Sequence, residues 1–364
     1  MNRVKAKAFH VGLINRHFMI IENLVRKNIR QLTPYSSARS EFKGAADIFL
    51  DANENPFETG LNRYPDPLQW AVKERISELK GGPVENIFLG NGSDEVIDLL
   101  LRIFCEPRID HIITLPPTYG MYKVSAGIAD VENVEVPLDQ SFQPDVEAIL
   151  AQANKGSKLL FLCSPNNPTG NAFEMARIKK LAAKFPGIVV VDEAYIDFSK
   201  EESALSLLSE YPNLVVMQTF SKAWGLAGIR LGMAFASTTI VELFNRVKPP
   251  YNINQLTQQH ALKALEDIER QATWVKKILG QRTLLQQSLV GLSFVEKIYP
   301  SDANFLLVKV TEPNELYDYL IEEKIIVRNR SKVLMCDGCL RITVGTEAEN
   351  KRLFQKLLDY QMFA

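Results

Sequence analysis

Cysteine is scarce in this 364-residue chain: Cys105, Cys163, Cys336 and Cys339 are too few and too scattered to staple a small secreted domain. A reducing, cytoplasmic setting is expected. No apolar run approaches the roughly 20 residues needed to cross a bilayer, so no membrane partner is expected. Neither sign of charge prevails, with 42 Lys+Arg against 43 Asp+Glu, and that balance excludes a global field for nucleic acid. Any bound anion must therefore be held by local groups. Internal repeats and low-complexity tracts are also absent, which predicts a compact chain. Cys336-Asp337-Gly338-Cys339 has the spacing of half a zinc site or a redox pair. It has no second half, because His10, His17, His111 and His260 show no ligand spacing. Two reduced thiols in a turn, and no metal, are expected.

What is present is a core. Hydrophobic residues make up 46% of the chain, enough for a large α/β domain with a smaller companion. Residues 1–18 carry Arg3, Lys5, Lys7 and Arg16 with no acid. They lack the apolar centre of a secretory signal and are expected to be an unstructured extension, or a start assigned ahead of a true start at Met19. Asp66-Pro67 before an amphipathic run ending at Gly81-Gly82 predicts a helix with an aspartate cap, a first-turn proline and a glycine stop. Short apolar runs at 87–89, 111–115, 158–163, 187–191 and 214–219, mostly separated by helical patterns, predict a largely parallel sheet covered on both faces. A helix is expected over 93–105. Beyond Pro249-Pro250 helices near 255–265 and 268–289 give way to strands near Phe294, Phe305 and Leu340, which predicts a second, smaller α+β domain.

Four blocks carry chemistry. The strongest is Thr219-Phe220-Ser221-Lys222-Ala223-Trp224-Gly225-Leu226-Ala227-Gly228-Ile229-Arg230, at the end of a predicted strand. Lys222 would form an imine with a phosphorylated aldehyde, while Thr219, Ser221 and Arg230 hold its phosphate. Lysine suits the task because desolvation readily lowers its pKa. Taken alone, a solvated lysine beside a glycine-rich turn explains the block as well. The second block, Asp192-Glu193-Ala194-Tyr195, ends an apolar strand at the sheet edge where open α/β folds bind ligands. Asp192 there is equally a Mg²⁺ ligand, a helix cap or the partner of a pyridinium nitrogen, and the choice rests on Lys222 being near. The third is Ser164-Pro165-Asn166-Asn167-Pro168-Thr169-Gly170, either a plain turn or the place from which Asn167, with Tyr195, donates to a phenolic oxygen. The fourth is Gly90-Asn91-Gly92-Ser93-Asp94-Glu95, a glycine turn opening a helix and hence an anion site. Glu95 stands where a dinucleotide fingerprint needs its third glycine. Tyr119 either stacks on a cofactor ring or covers the core.

In this order the blocks resemble the fold-type-I, class-II-like aminotransferases, in detail the histidinol-phosphate aminotransferase family. Asp51-Ala52-Asn53-Glu54-Asn55-Pro56, Asn62-Arg63-Tyr64-Pro65-Asp66-Pro67, Lys248-Pro249-Pro250-Tyr251-Asn252 and Cys339-Leu340-Arg341-Ile342-Thr343-Val344-Gly345 extend the likeness over nearly everything after Ile20. The resemblance implies a large mostly parallel mixed-sheet domain over 55–250 that binds pyridoxal 5'-phosphate and a small domain over 251–364. Residues 19–54 would contribute to the small domain and a dimer arm. It implies Lys222 as the Schiff-base and proton-shuttle residue, Asp192 at the ring nitrogen, Tyr195 and Asn167 at the phenolic oxygen, and Ser93, Asp94, Ser221 and Arg230 at the phosphate. It further implies a homodimer in which Tyr64 reaches the neighbour's site, with Arg328 and Arg341 receiving the substrate's anionic end. Tyr35 and Asn167 would also face substrate. Arg330, two residues after Arg328, competes for that anion.

The activity implied is a ping-pong exchange of histidinol phosphate and 2-oxoglutarate for imidazole-acetol phosphate and glutamate, in histidine biosynthesis. Alternatives are an aromatic amino-acid aminotransferase, because substrate choice rests on few contacts, and a decarboxylase of the threonine-phosphate type. A regulator built on the same domain would need a DNA-binding module, which 18 residues are expected to be too few to fold.

Overall fold

The computed structural model describes residues 21–34 and 47–363. The basic segment 1–18, Met19 and Tyr35 lie outside the described residues. Elements run in chain order as α1 (Lys27–Arg30), α2 (Trp70–Lys80), β1 (Ile87–Gly90), α3 (Ser93–Phe104), β2 (His111–Thr114), α4 (Met121–Ile128), β3 (Glu132–Glu135), α5 (Val146–Gln152) and β4 (Ser157–Cys163). Then follow α6 (Met175–Lys184), β5 (Ile188–Asp192), β6 (Leu214–Thr219), β7 (Gly232–Ala236), α7 (Thr238–Val247), α8 (Gln255–Leu265) and α9 (Ile268–Val290). The remainder is β8 (Val295–Ile298), β9 (Phe305–Val310), α10 (Pro313–Glu322), β10 (Arg328–Asn329), β11 (Cys339–Thr343) and α11 (Glu347–Phe363).

Seven strands form one sheet in the order β1-β7-β6-β5-β4-β2-β3. The β6/β5, β5/β4, β4/β2 and β2/β3 pairs are parallel, whereas β7 runs antiparallel to both β6 and β1. A second sheet, β10-β11-β9-β8, is antiparallel throughout. The antiparallel β7 is the departure from the expected alternation. Residues 220–231, which join it to β6, form no α-helix, so the chain turns straight back, and Lys222 rides in that turn.

Central strands are buried on both faces, so their residues divide by parity. Leu160, Leu162, Val189, Val191, Leu214 and Val216 join the core on one side. Leu159, Phe161, Cys163, Ile188, Val190, Val215 and Met217 join the core on the other, with Val96, Ile97, Leu100 and Phe104 of α3 and Tyr122 of α4. Each such side chain contributes about 1.5–3 kcal/mol by leaving water. The same parity aims Cys163, Asp192 and Thr219, the last residues of three adjacent parallel strands, at the α3 side. That side carries the site. Glu193, one residue on, points the other way and accepts from Ser203, Gln218 and the Ala204 N–H.

The helix expected after Asp66-Pro67 begins three residues later than that reading. Gln69, left-handed at φ 52°, precedes Trp70, and Pro67 lies ahead of the first turn. Asp66 still serves the helix start, because its carboxylate accepts from the Leu68 and Trp70 N–H groups at 2.8 and 2.6 Å. Gly81, at φ 77°, ends the helix as expected. Among the described residues no helix is long and apolar enough to cross a membrane.

Candidate active site

The carboxyl ends of β4, β5 and β6, the turn into β7 and the amino end of α3 surround a cavity of about 170 Å³. It is lined by Ser93, Asp94, Tyr119, Asn167, Asp192, Tyr195, Thr219, Ser221, Lys222 and Arg230, together with Cys163, Ala194 and Ala227. Larger cavities of about 820 and 540 Å³ lie elsewhere, but neither gathers a lysine amine, a buried carboxylate and a set of anion donors. Chemistry, not volume, identifies the site.

Asp192 lies at the cavity floor, 3% exposed. Burial raises its pKa, opposed by the Tyr122 hydroxyl, which donates to Oδ2 at 2.7 Å, and by the Ala194 N–H, which donates to Oδ1 at 3.1 Å. These donors favour the ionised form. Tyr122 is fully buried and stacks on Phe161, with ring centroids 4.6 Å apart. Sequence reasoning missed Tyr122, because an aromatic at a helical core position reads as packing. Lys222 is an exposed residue, yet its amine lies 5.6 Å from the Tyr195 ring centroid. Desolvation by the cleft walls lowers its pKa first, and the Arg341 guanidinium next.

The same cavity carries a cradle of groups suited to an anion. Helix α3 starts at Ser93 with no side-chain cap, because Gly92 holds φ 79° at the cap position. Arg230, itself left-handed at φ 53°, brings its guanidinium so close to Gly92 that a Cβ there would sit 2.6 Å from Nη2. Thr219 Oγ1 and Ser221 Oγ are 3.0 Å apart. Asp94 pairs with Arg230 at 3.4 Å and accepts from the Tyr119 hydroxyl at 3.2 Å. Glu95, in the place of the third fingerprint glycine, is structural: it accepts from the Asn91 N–H and from Asn252, which also donates to the Leu89 carbonyl. Asn252 thereby ties the Lys248–Asn252 block to this turn. Helix amides, two hydroxyls and a guanidinium suit a phosphate. A buried carboxylate and a lysine amine on the same cavity suit the ring and aldehyde of pyridoxal 5'-phosphate.

Gly232 makes the cradle possible. It pairs with Gly90 on one side and Thr219 on the other, and a Cβ on it would collide with the backbone of Gly92 and Ser93. Gly232→Ala is expected to cost about 1–3 kcal/mol of stability by overpacking and to push the α3 amino end off the phosphate position. Thermal melting and the cofactor dissociation constant check it. Unchanged cofactor affinity in a folded variant would count against the cradle.

Arg341 Nη1 donates to Asn167 Oδ1 at 2.5 Å, so the Asn167 NH2 group is not taken up by that contact. Arg341 also lies over the Phe305 ring at 5.2 Å, and Phe305 meets Tyr195 edge-on at 5.2 Å. Arg328 is the direct cross-strand partner of Arg341. Tyr64 is not brought to this cavity. It stacks on Tyr251 at 4.4 Å and lines the separate 540 Å³ cavity, half exposed. Cys336 and Cys339 are free, buried thiols packed with Leu307, Tyr299 and Val333.

The sequence pattern of the family "Aminotransferase class I and II" matches residues 47–357. The chain is 55% identical over 343 residues to histidinol-phosphate aminotransferase of Christiangramia forsetii, covering 94% of this chain and 98% of that protein. It is 52% identical to the enzyme of the same name from Parabacteroides distasonis over 342 residues, 94% and 99% of the two chains. Among solved structures, histidinol-phosphate aminotransferase from Clostridium acetobutylicum superposes with a TM-score of 0.76 at 24% identity, covering 84% of this chain and 92% of that one. The Sinorhizobium meliloti enzyme, solved in complex with pyridoxal-5'-phosphate, gives 0.76 at 24% identity over 83% of each chain.

Proposed function

The chain belongs to the class I and II aminotransferase family, and on that premise we propose that it moves the amino group of histidinol phosphate to 2-oxoglutarate, yielding imidazole-acetol phosphate and glutamate in histidine biosynthesis. The observation that carries this reading is that Lys222 and Asp192 line one cavity with a set of anion-holding groups. The identity above 50% across nearly the whole chain to relatives of that name supports the choice of substrate.

Pyridoxal 5'-phosphate, when bound, supplies a protonated heteroaromatic ring that draws electrons from the substrate's α-carbon. Ser93, Thr219, Ser221 and Arg230 would hold its phosphate, Asp192 its ring nitrogen, and Asn167 and Tyr195 its phenolic oxygen. Tyr119 would cover the ring, with Asp94 fixing Tyr119 and Arg230. Lys222 would anchor the aldehyde and, once released, carry the α-proton on its amine. Arg328 and Arg341 receive the substrate's anionic end, because guanidinium forks accept phosphate and carboxylate alike.

Residues 55–250 would form the cofactor domain and 251–364 the small domain, with 19–54 joining the latter and a dimer arm. A homodimer is favoured by the exposure of Ile48, Leu50, Phe57, Leu61 and Tyr64 along one stretch of chain, and by the position of Tyr64 outside its own chain's cavity. Four free thiols suit the cytoplasm.

A panel of amino donors tests the reading. Histidinol phosphate is expected to exceed phenylalanine in kcat/KM by at least about 100-fold, the discrimination that a phosphate-binding site confers. Preference for phenylalanine would make the chain an aromatic aminotransferase. Carbon dioxide release from a phosphorylated amino acid, without amino transfer, would make it a lyase.

A further inference from the structure

Arg328 and Arg341 are not alone at the anion end. Arg330 continues β10 in register: its N–H donates to the Cys339 carbonyl at 2.8 Å, and its own carbonyl accepts from Val333 at 2.8 Å. Residues two apart on an extended chain share a face, and directly opposed residues point the same way. Arg328, Arg330 and Arg341 therefore lie on one face of the β10-β11 pair. The loop beyond Arg330 is pinned by the buried Cys336 and Cys339, linked through Cys336 N–H to Val333 O and Cys339 N–H to Cys336 O, both 2.9 Å. The CxxC spacing thus finds a use as an anchor.

Among the described residues no carboxylate forms an ion pair with any of the three guanidiniums. The Nε atoms of Arg330 and Arg341 are buried without a hydrogen-bond partner. Desolvation lowers the pKa of Arg330 first, and its two arginine neighbours lower it further. Cys336 and the Tyr195 hydroxyl, at the cofactor cavity, raise it. Three mutually repelling cations with orphaned donors are a poor match to a carboxylate, whose two oxygens one guanidinium fork satisfies. A phosphate monoester dianion, with three terminal oxygens, suits them.

We propose that Arg330 is a third guanidinium of the substrate's anion pocket and makes that pocket select a phosphate monoester dianion over a carboxylate. The inference rests on the reading of Arg328 and Arg341 as the anion receivers of an aminotransferase.

The test compares wild-type holoenzyme with Arg330→Gln and Arg330→Lys. In Arg330→Gln, kcat/KM for histidinol phosphate is expected to fall about 30-fold, the size of a lost charge-assisted contact. The value for glutamate should fall less than about 3-fold, as for a weakly coupled charge. Arg330→Lys should lie between, keeping the charge without the fork. The wild-type profile for the phosphorylated donor should climb as its second ionisation, near about pH 6, completes the dianion, and Arg330→Gln should flatten that climb. Equal losses on both substrates, or none on either, would overturn the inference. If the wild type ignores histidinol phosphate, the functional reading fails separately. Inorganic phosphate, as a competitive inhibitor with whatever amino acid is used, then still reads Arg330. Its inhibition constant should rise about 30-fold in Arg330→Gln by the same contact arithmetic, and an unchanged constant would refute the inference.

Discussion

Replacing Lys222 with alanine is expected to lower kcat by about 10,000-fold or more, because in the proposed mechanism one amine is both nucleophile and proton carrier and the loss of either role alone is costly. The fold should survive. Lys222 is an exposed residue and makes no ion pair among the described residues, so the stability change should stay within about 0.5 kcal/mol. Hydride reduction of the wild-type holoenzyme should leave the cofactor covalently attached to the peptide containing Lys222, whereas the alanine variant should release it on denaturation. Retention of the cofactor by the variant after reduction would place the anchoring amine elsewhere. The environment of the amine also fixes a pH dependence. Burial, then Arg341, lowers the folded-state pKa below the ordinary 10.5, with Arg230 adding to that and Asp192 and Asp94 opposing it. The neutral, attacking form therefore appears at lower pH than in a free lysine. Capture of added cofactor by the apoenzyme should accelerate with rising pH through a midpoint below 10.5, and Arg341→Gln should move that midpoint upward.

Much of this site can be read from one chain because its parts are local in sequence. Each strand end supplies its functional group within a few residues of an apolar run: Cys163 before Asn167, Asp192 before Tyr195, Thr219 before Lys222. Each such position alone has a structural explanation as a turn or a cap, and they stand out because three occur after neighbouring apolar runs of one chain. Tyr122 did not stand out. Its hydroxyl has a partner 70 residues away, and nothing in its own helix reports a buried acceptor. Strand β7 escaped because Gly232–Ala236 opens on a glycine, holds two alanines and no β-branched residue, and follows a glycine-rich loop that reads as the end of the motif. The convergence of Arg328, Arg330 and Arg341 depends on register between strands separated by an irregular loop, and register is a tertiary property. Tyr64 could be named only through resemblance, since its proposed target lies on another chain.

Asp192→Asn is expected to lower kcat by about 1,000-fold, the range seen when a preorganised charge is removed from a buried site. An amide of the same shape keeps the packing and can still accept from the Ala194 N–H, but its NH2 group cannot accept from the Tyr122 hydroxyl, so that bond is lost or reversed, and it cannot hold a proton on the ring nitrogen of a bound heteroaromatic cofactor. Cofactor affinity should fall much less than kcat, because the phosphate cradle is untouched. A variant retaining more than a tenth of wild-type kcat would remove Asp192 from the chemistry. Tyr122→Phe separates the charge from its support. The ring still stacks on Phe161, so the stability cost should be about 1 kcal/mol, one hydrogen bond. Asp192 loses the larger of the two donors that oppose its burial. Its pKa, already raised, rises further, and the ionised carboxylate then forms only at higher pH. The acidic limb of kcat should accordingly shift upward in Tyr122→Phe and be absent in Asp192→Asn, where no carboxylate titrates. An acidic limb that stays in place in Tyr122→Phe would mean that the buried hydroxyl packs the helix without governing the charge at the floor of the site.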